Sequence, residues 1–252
     1  MHLILTGATG LCGSAVLDAM VRMKDVTKIS ILSRRPVRMA EDLKDPRINV
    51  IIHKDFEKYD ANLLSQLTGA TGCVWALGIS QTQVSKEEYV KITKDFTLRA
   101  VEAFETLGTE EKPFHFVYVS GHGATIEPGR FAQTFALVKG ETEVLLAGMH
   151  NRNKALLATS IRPCFIDFAT HDAIKPYIPT QEMYKNIITP ILGPPIRHLA
   201  KSYWSPTQRL GEFMTEMAMG KWDDRLEGPG IEKVGDFRIL GNVGFRRLAG
   251  LH

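Results

Sequence analysis

The sequence is poor in cysteine and contains no long apolar run. Its three cysteines, Cys12, Cys73 and Cys164, lie far apart and form no Cys-x-x-Cys pair. This pattern predicts neither a disulfide framework nor a metal site, and it favours reduced thiols and a cytoplasmic location. The longest stretch without a charged residue, Ala61 to Ser85, contains three glycines and three glutamines. Such a composition excludes a membrane-spanning helix, and we expect no membrane association.

The chain also lacks a strong charge of either sign. Its 31 Lys and Arg residues against 28 Asp and Glu residues give a net charge of +3 over 252 residues. This small excess is spread along the chain, so we expect no nucleic-acid partner and a small-molecule substrate instead. The residues after Met1 have the pattern of a strand and not of a secretory signal. The sequence leaves the oligomeric state open.

Apolar strand-like segments alternate with helical patterns over the first two thirds of the chain. This order predicts an α/β fold with a doubly wound parallel sheet of the Rossmann type. We expect this domain to occupy residues 1–168. Residues 169–252, which are rich in proline and then in glycine, are predicted to form a small C-terminal helical substrate lobe, an extension of the same domain with helices near 181–192 and 207–219. The predicted strands are 2–6, 28–33, 48–53, 73–78, 114–120 and 155–162, and a long helix is predicted over 86–107.

The glycine-rich segment Thr6–Gly13 follows the first predicted strand and opens the first predicted helix. In this context Gly7 permits a tight turn, Gly10 leaves room for a pyrophosphate, and Gly13 lets the helix pack closely on the sheet. The free amides at the helix start favour a bound phosphate. We therefore predict a dinucleotide site at Gly7, Thr9, Gly10, Leu11 and Cys12, with Cys12 acting through its backbone.

The end of the second predicted strand indicates which dinucleotide binds. An NAD site usually has an acidic residue here for the ribose hydroxyl, whereas this sequence has Ser33, Arg34 and Arg35. Two guanidinium groups suit a 2′-phosphate, so we predict NADP(H) as the cofactor.

These motifs, together with His53-Lys54-Asp55-Phe56, Trp75-Ala76-Leu77-Gly78 and Tyr118-Val119-Ser120-Gly121, resemble the atypical short-chain dehydrogenase/reductases. The similarity covers residues 2–168 and is greatest to the NmrA-like and Tat-interacting-protein-like branch. It implies that adenine contacts Asp55 and Phe56, and that the adenosine ribose lies near Leu77 and Gly78. It further implies a nicotinamide region formed by Val119, Ser120, Pro163, Cys164, Phe165 and Ile166.

The sequence departs from this family at one position that matters for chemistry. Members typically carry Tyr-x-x-x-Lys on the helix after the fifth strand, and here the segment is Phe135-Ala-Leu-Val-Lys139. Lys139 is retained and is expected to bind the nicotinamide ribose. Phe135 has no exchangeable proton, so the usual acid/base group is missing.

Several residues are candidates for that missing role. The predicted catalytic residues are Lys139, Ser120 and His122. His122 is included because it follows the fifth strand at the ligand-binding edge and because histidine as a residue type suits proton transfer. A structural role for His122 in its loop remains an alternative. A tyrosine from elsewhere is a further candidate: Tyr89, Tyr177, Tyr184 or Tyr203.

The combined features predict an NADP(H)-dependent oxidoreductase that acts on a small, largely apolar carbonyl compound or alcohol. The absence of tyrosine at position 135 keeps two alternatives open. One is a redox-neutral isomerase or cyclase that retains the nucleotide site. The other is a non-catalytic regulator that senses NAD(P).

Overall fold

Short apolar segments form a central sheet that is buried on both faces, as parallel sheets require. The structure is a computed structural model and describes residues 1–127, 129, 132–178, 193–197 and 199–251. The strands in this part of the chain are β1 (His2–Thr6), β2 (Lys28–Ser33), β3 (Ile48–Ile52), β4 (Ala70–Trp75), β5 (Phe114–Val119), β6 (Leu156–Arg162), β7 (Phe165–Asp167), β8 (Trp204–Pro206), β9 (Ile231–Val234) and β10 (Phe237–Gly241).

The strands of the main sheet follow the order β3-β2-β1-β4-β5-β6-β10-β9, and β7 pairs with β8 in a separate small sheet. All neighbours in the main sheet are parallel except β9 and β10. The chain moves outward from β1 to β3 and then returns to continue on the other side with β4. Ligands bind in such sheets where the order reverses, beyond the carboxyl ends of the strands. The predicted doubly wound α/β fold is confirmed.

Helices cover both faces of this sheet. Leu11 and Val16 belong to one apolar layer with Phe213, while Val101 and Leu146 belong to the layer on the opposite face. The helices are α1 (Leu11–Arg22), α2 (Arg38–Leu43), α3 (Ala61–Leu67), α4 (Lys86–Val90), α5 (Phe96–Phe104), α6 (Thr134–Arg152), α7 (Thr207–Ala218) and α8 (Asn242–Leu248). None of those described is long and apolar enough to cross a membrane.

The chain after residue 168 returns to the main sheet. Helix α7 packs against α1, and β10 pairs with β6, so this extension covers one face and adds two strands at the edge. The helix expected at 207–219 is α7, whereas the one expected near 181–192 lies outside the described residues. Strands β9 and β10 were not foreseen from the sequence, because they are short and flanked by glycines.

Two other elements differ in detail from the sequence-based expectation. Strand β4 ends at Trp75, three residues before the expected Gly78, which leaves residues 76–78 free to line a cleft. The long helix expected over 86–107 is divided into α4 and α5 by a π-helical turn, Lys91–Asp95. Such turns occur frequently at functional sites.

Candidate functional site

The glycine-rich corner between β1 and α1 is shaped by backbone contacts that leave no room for side chains. Gly7 has φ +69°, and a Cβ there would lie 2.2 Å from the Ala76 carbonyl oxygen. A Cβ on Gly13 would lie 2.0 Å from the Gly7 oxygen. At Gly10, by contrast, the nearest atom to an added Cβ is the Gly7 oxygen at 3.4 Å. Gly7 and Gly13 are thus needed for packing, whereas Gly10 keeps the cleft open.

Helix α1 begins directly at this corner. Its N-cap residue, Gly10, has extended backbone angles, and no side chain among the described residues caps the helix. The first amides therefore face the cleft with the positive end of the helix dipole behind them, which is the arrangement that binds phosphate. The geometry fits the pyrophosphate of a dinucleotide.

A cleft of about 940 Å³ runs along the carboxyl ends of β1, β2, β4 and β5. Strand register explains its position, because Thr6 pairs with Leu32 on one side and Trp75 on the other. Most of the predicted site residues line it: Gly7, Thr9, Gly10, Leu11, Cys12, Ser33, Arg34, Arg35, Phe56, Leu77, Gly78, Val119, Ser120, Lys139 and Ile166.

Two exposed guanidinium groups stand at the β2 end of the cleft. The Ser33 hydroxyl donates to the Arg35 carbonyl oxygen at 2.7 Å and accepts from the Arg35 amide at 3.4 Å, which fixes the turn that carries Arg34. Neither arginine forms an ion pair with any residue that the structure describes. Both charges are therefore available to an anionic group in the cleft, such as a phosphate.

At the β5 end of the cleft lie a hydroxyl and an ammonium group. The Ser120 Oγ is buried and has no hydrogen-bond partner in the described part of the chain. The Lys139 Nζ donates to the Val119 carbonyl oxygen at 3.1 Å and lies 5.4 Å from the centre of the Tyr118 ring. Burial lowers the pKa of Lys139 to about 8, although the nearby Glu143 carboxylate and Cys12 thiol oppose this change.

Phe135 occupies the wall between these two groups and the adjoining loop. Its ring lies 3.3 Å from the position of an added Cβ on Gly121, and its amide donates to the Gln81 Oε1 at 2.9 Å. The ring lines the cleft, one helical turn from Lys139. A tyrosine here would add a hydroxyl to the lining of the cleft, and the phenylalanine supplies none.

Five of the predicted residues do not line the cleft, and one of them is Cys164, whose amide donates to the Ser205 Oγ at 3.0 Å. His122 is exposed, its amide donates to the Pro163 carbonyl oxygen at 2.9 Å, and its ring contacts Tyr203 edge-on with centroids 5.4 Å apart. Asp55 is exposed and accepts a hydrogen bond from the Glu57 amide at 3.1 Å. Pro163 is buried, and Phe165 pairs with Trp204 in the small sheet. Their predicted roles stay predictions.

A second cavity of about 520 Å³, which we call the side chamber, adjoins the cleft. The two cavities share Gln81, Thr82 and Tyr89. Most of the side chains around it are polar, and sequence reasoning did not foresee it. The sequence feature that could have indicated this chamber is the polar loop Ser80–Gln83 after β4. The side chamber is lined by Gln81, Thr82, Lys86, Tyr89, Ala132, Gln133 and Thr134.

The other tyrosines considered from the sequence lie elsewhere. Tyr177 lines a separate cavity of about 420 Å³ beside Arg35 and Arg38. Tyr203 is 49% exposed and packs on His122. Tyr184 lies outside the described residues. In the part of the chain that the structure describes, no group of three or more His, Cys, Asp or Glu residues is placed to hold a metal ion.

The relatives of this chain include two proteins named for biosynthesis clusters. The chain is 33% identical to the Leucinostatins biosynthesis cluster protein T of Purpureocillium lilacinum over 264 residues, which covers 98% of this chain and 94% of the relative. It is 43% identical to the Botcinic acid biosynthesis cluster B protein 16 of Botryotinia fuckeliana over 155 residues, which covers 61% of this chain and 98% of the relative. No protein-family model matches the chain.

Solved structures share its fold at low sequence identity. An aldohexose dehydrogenase of Thermoplasma acidophilum superposes with a TM-score of 0.63 at 14% identity and covers 95% of this chain and 91% of its own. The PhqB reductase domain of Penicillium fellutanum gives 0.63 at 15% identity, over 86% of this chain and 64% of its own. A UDP-glucuronic acid 4-epimerase of Bacillus cereus in complex with NAD gives 0.52 at 17% identity, over 66% of this chain and 57% of its own. The chain has the Rossmann fold of such reductases, dehydrogenases and epimerases.

Proposed function

The chain belongs to the protein family of the Leucinostatins biosynthesis cluster protein T and the Botcinic acid biosynthesis cluster B protein 16, and we propose that it is an NADP(H)-dependent oxidoreductase. Its reaction interconverts a carbonyl compound and the corresponding alcohol. Within the short-chain dehydrogenase/reductases we place it in the atypical, NmrA-like and Tat-interacting-protein-like branch that its motifs resemble.

The observation that supports this proposal is the order of the chemical groups along the cleft. Unpaired Arg34 and Arg35 stand at one end, the open Gly10 corner lies in the middle, and Ser120 and Lys139 stand at the other end. A dinucleotide needs these groups in this order: cations for the 2′-phosphate, bare amides for the pyrophosphate, and polar groups near the nicotinamide. When bound, the cofactor supplies or accepts the hydride.

The protein's own residues then have defined tasks. Arg34 and Arg35 bind the 2′-phosphate, and the first amides of α1 bind the pyrophosphate. The Lys139 ammonium binds the nicotinamide ribose, and the free Ser120 hydroxyl orients the substrate oxygen. The substrate enters beside Phe135, where the cleft meets the side chamber.

The side chamber bears on the kind of substrate. The sequence predicted a largely apolar one, whereas Gln81, Thr82, Lys86 and Gln133 surround the space next to the cleft. Polar walls favour a carbonyl compound that carries further oxygen-containing groups. Both relatives are named for biosynthesis clusters, so we propose a biosynthetic intermediate as the substrate.

Fluorescence titration with NADPH and NADH tests the cofactor assignment. We expect wild type to prefer NADPH, and Arg34→Ala and Arg35→Ala each to weaken NADPH binding by about 1.5–3 kcal/mol, roughly 10- to 150-fold, with little change for NADH. Arg99→Ala is the matched control, because Arg99 is exposed on α5 and pairs with Glu102 away from the cleft. Equal affinity of wild type for the two nucleotides would contradict the NADP(H) assignment.

Phe135 specifically favours a second candidate class. In this class the protein performs a redox-neutral isomerisation or cyclisation, or it binds the nucleotide as a sensor, and neither role needs a hydroxyl at this position. Consumption of NADPH by wild type with a panel of aldehydes, ketones and quinones would exclude the sensor. If only Phe135→Tyr consumes NADPH with this panel, the native protein is not a conventional reductase.

A further inference from the structure

Carbonyl reduction needs a proton as well as a hydride, and the α6 position that commonly supplies it carries Phe135. Among the described tyrosines, Tyr89 is the one whose side chain lines both the cleft and the side chamber. Tyr177 belongs to the cavity beside Arg35, and Tyr203 lies on the surface. Tyr59 contacts His53 and Phe104 away from the cleft. The buried Tyr118 phenol interacts with Tyr89, and its ring centre lies 5.4 Å from the Lys139 Nζ, so Tyr89 belongs to the Lys139 side of the cleft.

The local structure holds the Tyr89 ring in a fixed position. Ser85 caps helix α4 by accepting a hydrogen bond from the Glu88 amide at 3.2 Å, and the Tyr89 side chain is only 2% exposed. The π-helical turn that begins two residues later carries Thr93, which is also buried and lowers the pKa of the Tyr89 phenol, in opposition to the larger rise caused by burial. A phenol held in place at the border of a cleft is a suitable proton-transfer group.

Phe135 is linked to the wall that contains Tyr89 through Gln81. Gln81 lines the cleft and the side chamber together with Tyr89, and its Oε1 accepts the hydrogen bond from the Phe135 amide at 2.9 Å. The loop after β4 thereby joins the start of α6 to the wall formed by α4. The phenyl ring of α6 and the phenol of α4 border one junction of the two cavities.

We propose that Tyr89 donates the proton to the substrate oxygen, in place of the hydroxyl that is absent at position 135. This inference rests on the proposed oxidoreductase function. In the reduction, a bound reduced nicotinamide dinucleotide supplies a hydride, and with it both electrons, to the carbonyl carbon. The electron pair of the broken C=O π bond takes the proton from the Tyr89 Oη. The products are the alcohol, the oxidised dinucleotide and a phenolate, which recovers a proton from water in the side chamber.

The surroundings of Tyr89 favour the protonated phenol, which is the form that can donate a proton. Burial raises its pKa, and the interaction with Thr93 partly opposes this, so the phenol stays protonated at neutral pH. Among the described residues, Lys86 on the preceding turn lines the side chamber with it, Lys139 on α6 lines the cleft with it, and the Tyr118 phenol on β5 interacts with it. A positive charge nearby favours the phenolate. An oxidised nicotinamide, which is positively charged, should therefore lower the pKa of Tyr89, whereas the neutral reduced ring should not.

Fluorine NMR of the fluorotyrosine-labelled protein tests this without a substrate. The resonance that disappears in Tyr89→Phe is assigned to Tyr89, and its titration is followed with saturating NADP⁺ or NADPH. We expect it to titrate at lower pH with NADP⁺ than with NADPH. The resonance assigned by Tyr59→Phe comes from a phenol whose pKa burial raises strongly, and it should be the same with both nucleotides. Identical titration of Tyr89 with the two nucleotides would overturn the inference.

Turnover measurements provide the second readout. With aldehydes, ketones and quinones that wild type reduces, Tyr89→Phe should lower kcat by about 100-fold or more and leave the Kd for NADPH unchanged. Tyr59→Phe should retain activity. Tyr89→Phe combined with Phe135→Tyr should regain part of the lost kcat, because the hydroxyl then lies one turn from Lys139.

Nucleotide binding and turnover distinguish a failure of the oxidoreductase function from a failure of the Tyr89 role. If wild type binds no pyridine dinucleotide, the oxidoreductase function and the role of Tyr89 are both wrong. If wild type binds and consumes NADPH, and Tyr89→Phe does so at an unchanged kcat, only the role of Tyr89 is wrong.

Discussion

Single alanine substitutions in the glycine corner should separate a glycine needed for binding from one needed for folding. At Gly10 the backbone angles, φ −100° and ψ 172°, are open to any residue, and an added Cβ would touch only the Gly7 oxygen at 3.4 Å. At Gly13 the added Cβ would lie 2.0 Å from that same oxygen. The two changes are chemically identical and lie three residues apart.

The contact distances set the expected magnitudes. Gly13→Ala would gain about 1 kcal/mol from helix propensity, but relieving the overlap with Gly7 requires α1 to move off the sheet. Overpacking costs typically 1–3 kcal/mol, and a 2.0 Å approach to backbone calls for the upper end, about 3 kcal/mol. Less the gain of about 1 kcal/mol, the net loss in the free energy of unfolding should be roughly 2 kcal/mol. Gly10→Ala should lose about 1 kcal/mol or less as a poorer N-cap. Its methyl group should weaken NADPH binding by at least about tenfold, or 1.4 kcal/mol.

Urea denaturation and NADPH fluorescence titration of the same preparations measure both quantities. Gly148→Ala is the matched control, because no atom lies within 4 Å of an added Cβ at that position in α6. It should be neutral or slightly stabilising and should bind NADPH as wild type does. If Gly13→Ala proves as stable as wild type, or if Gly10→Ala binds NADPH with unchanged affinity, the assignment of these two glycines is refuted.

Three further perturbations have expected outcomes. Affinity for NADPH should fall as pH rises through about 8, where Lys139 loses its proton, and a titration series should show no such fall in Lys139→Met. Arg162→Met should lower the urea-derived unfolding free energy by about 3–5 kcal/mol by leaving buried Glu143 unpaired, and adding Glu143→Leu should recover most of the loss. Burial lowers the pKa of His2 to about 4, so the unfolded state takes up that proton first, and stability should fall by up to about 3 kcal/mol from pH 6.5 to 4. Over the same pH range, the urea midpoint of His2→Gln should fall less than the midpoint of wild type. An equal fall in the two proteins would contradict this role of burial.

The bounds of β1 and β2 were predictable because each is a short apolar run that ends at a turn signal. The end of β4 was not predictable from the sequence. Ala76 and Leu77 extend the apolar run of the strand, but they lie beyond it and border the cleft. The strands β9 and β10 are missing from the prediction because glycines interrupt their short pattern. Their place at the sheet edge depends on pairing with β6, which is distant in sequence.

The sequence by itself determined the glycine corner, the two arginines after β2 and the missing hydroxyl at Phe135. Each of these features is local. The backbone conformation of a turn or a helix start depends mainly on residues adjacent in sequence, so such features can be predicted from the sequence. Only the tertiary structure placed Tyr89 and Gln81 beside Phe135, about fifty residues along the chain, and separated His122 from the cleft. That proximity follows from the order in which β4 and β5 pair and from the packing of α4 and α6 above them. Distances between side chains that far apart in sequence are set by packing of the whole sheet, which no local pattern encodes.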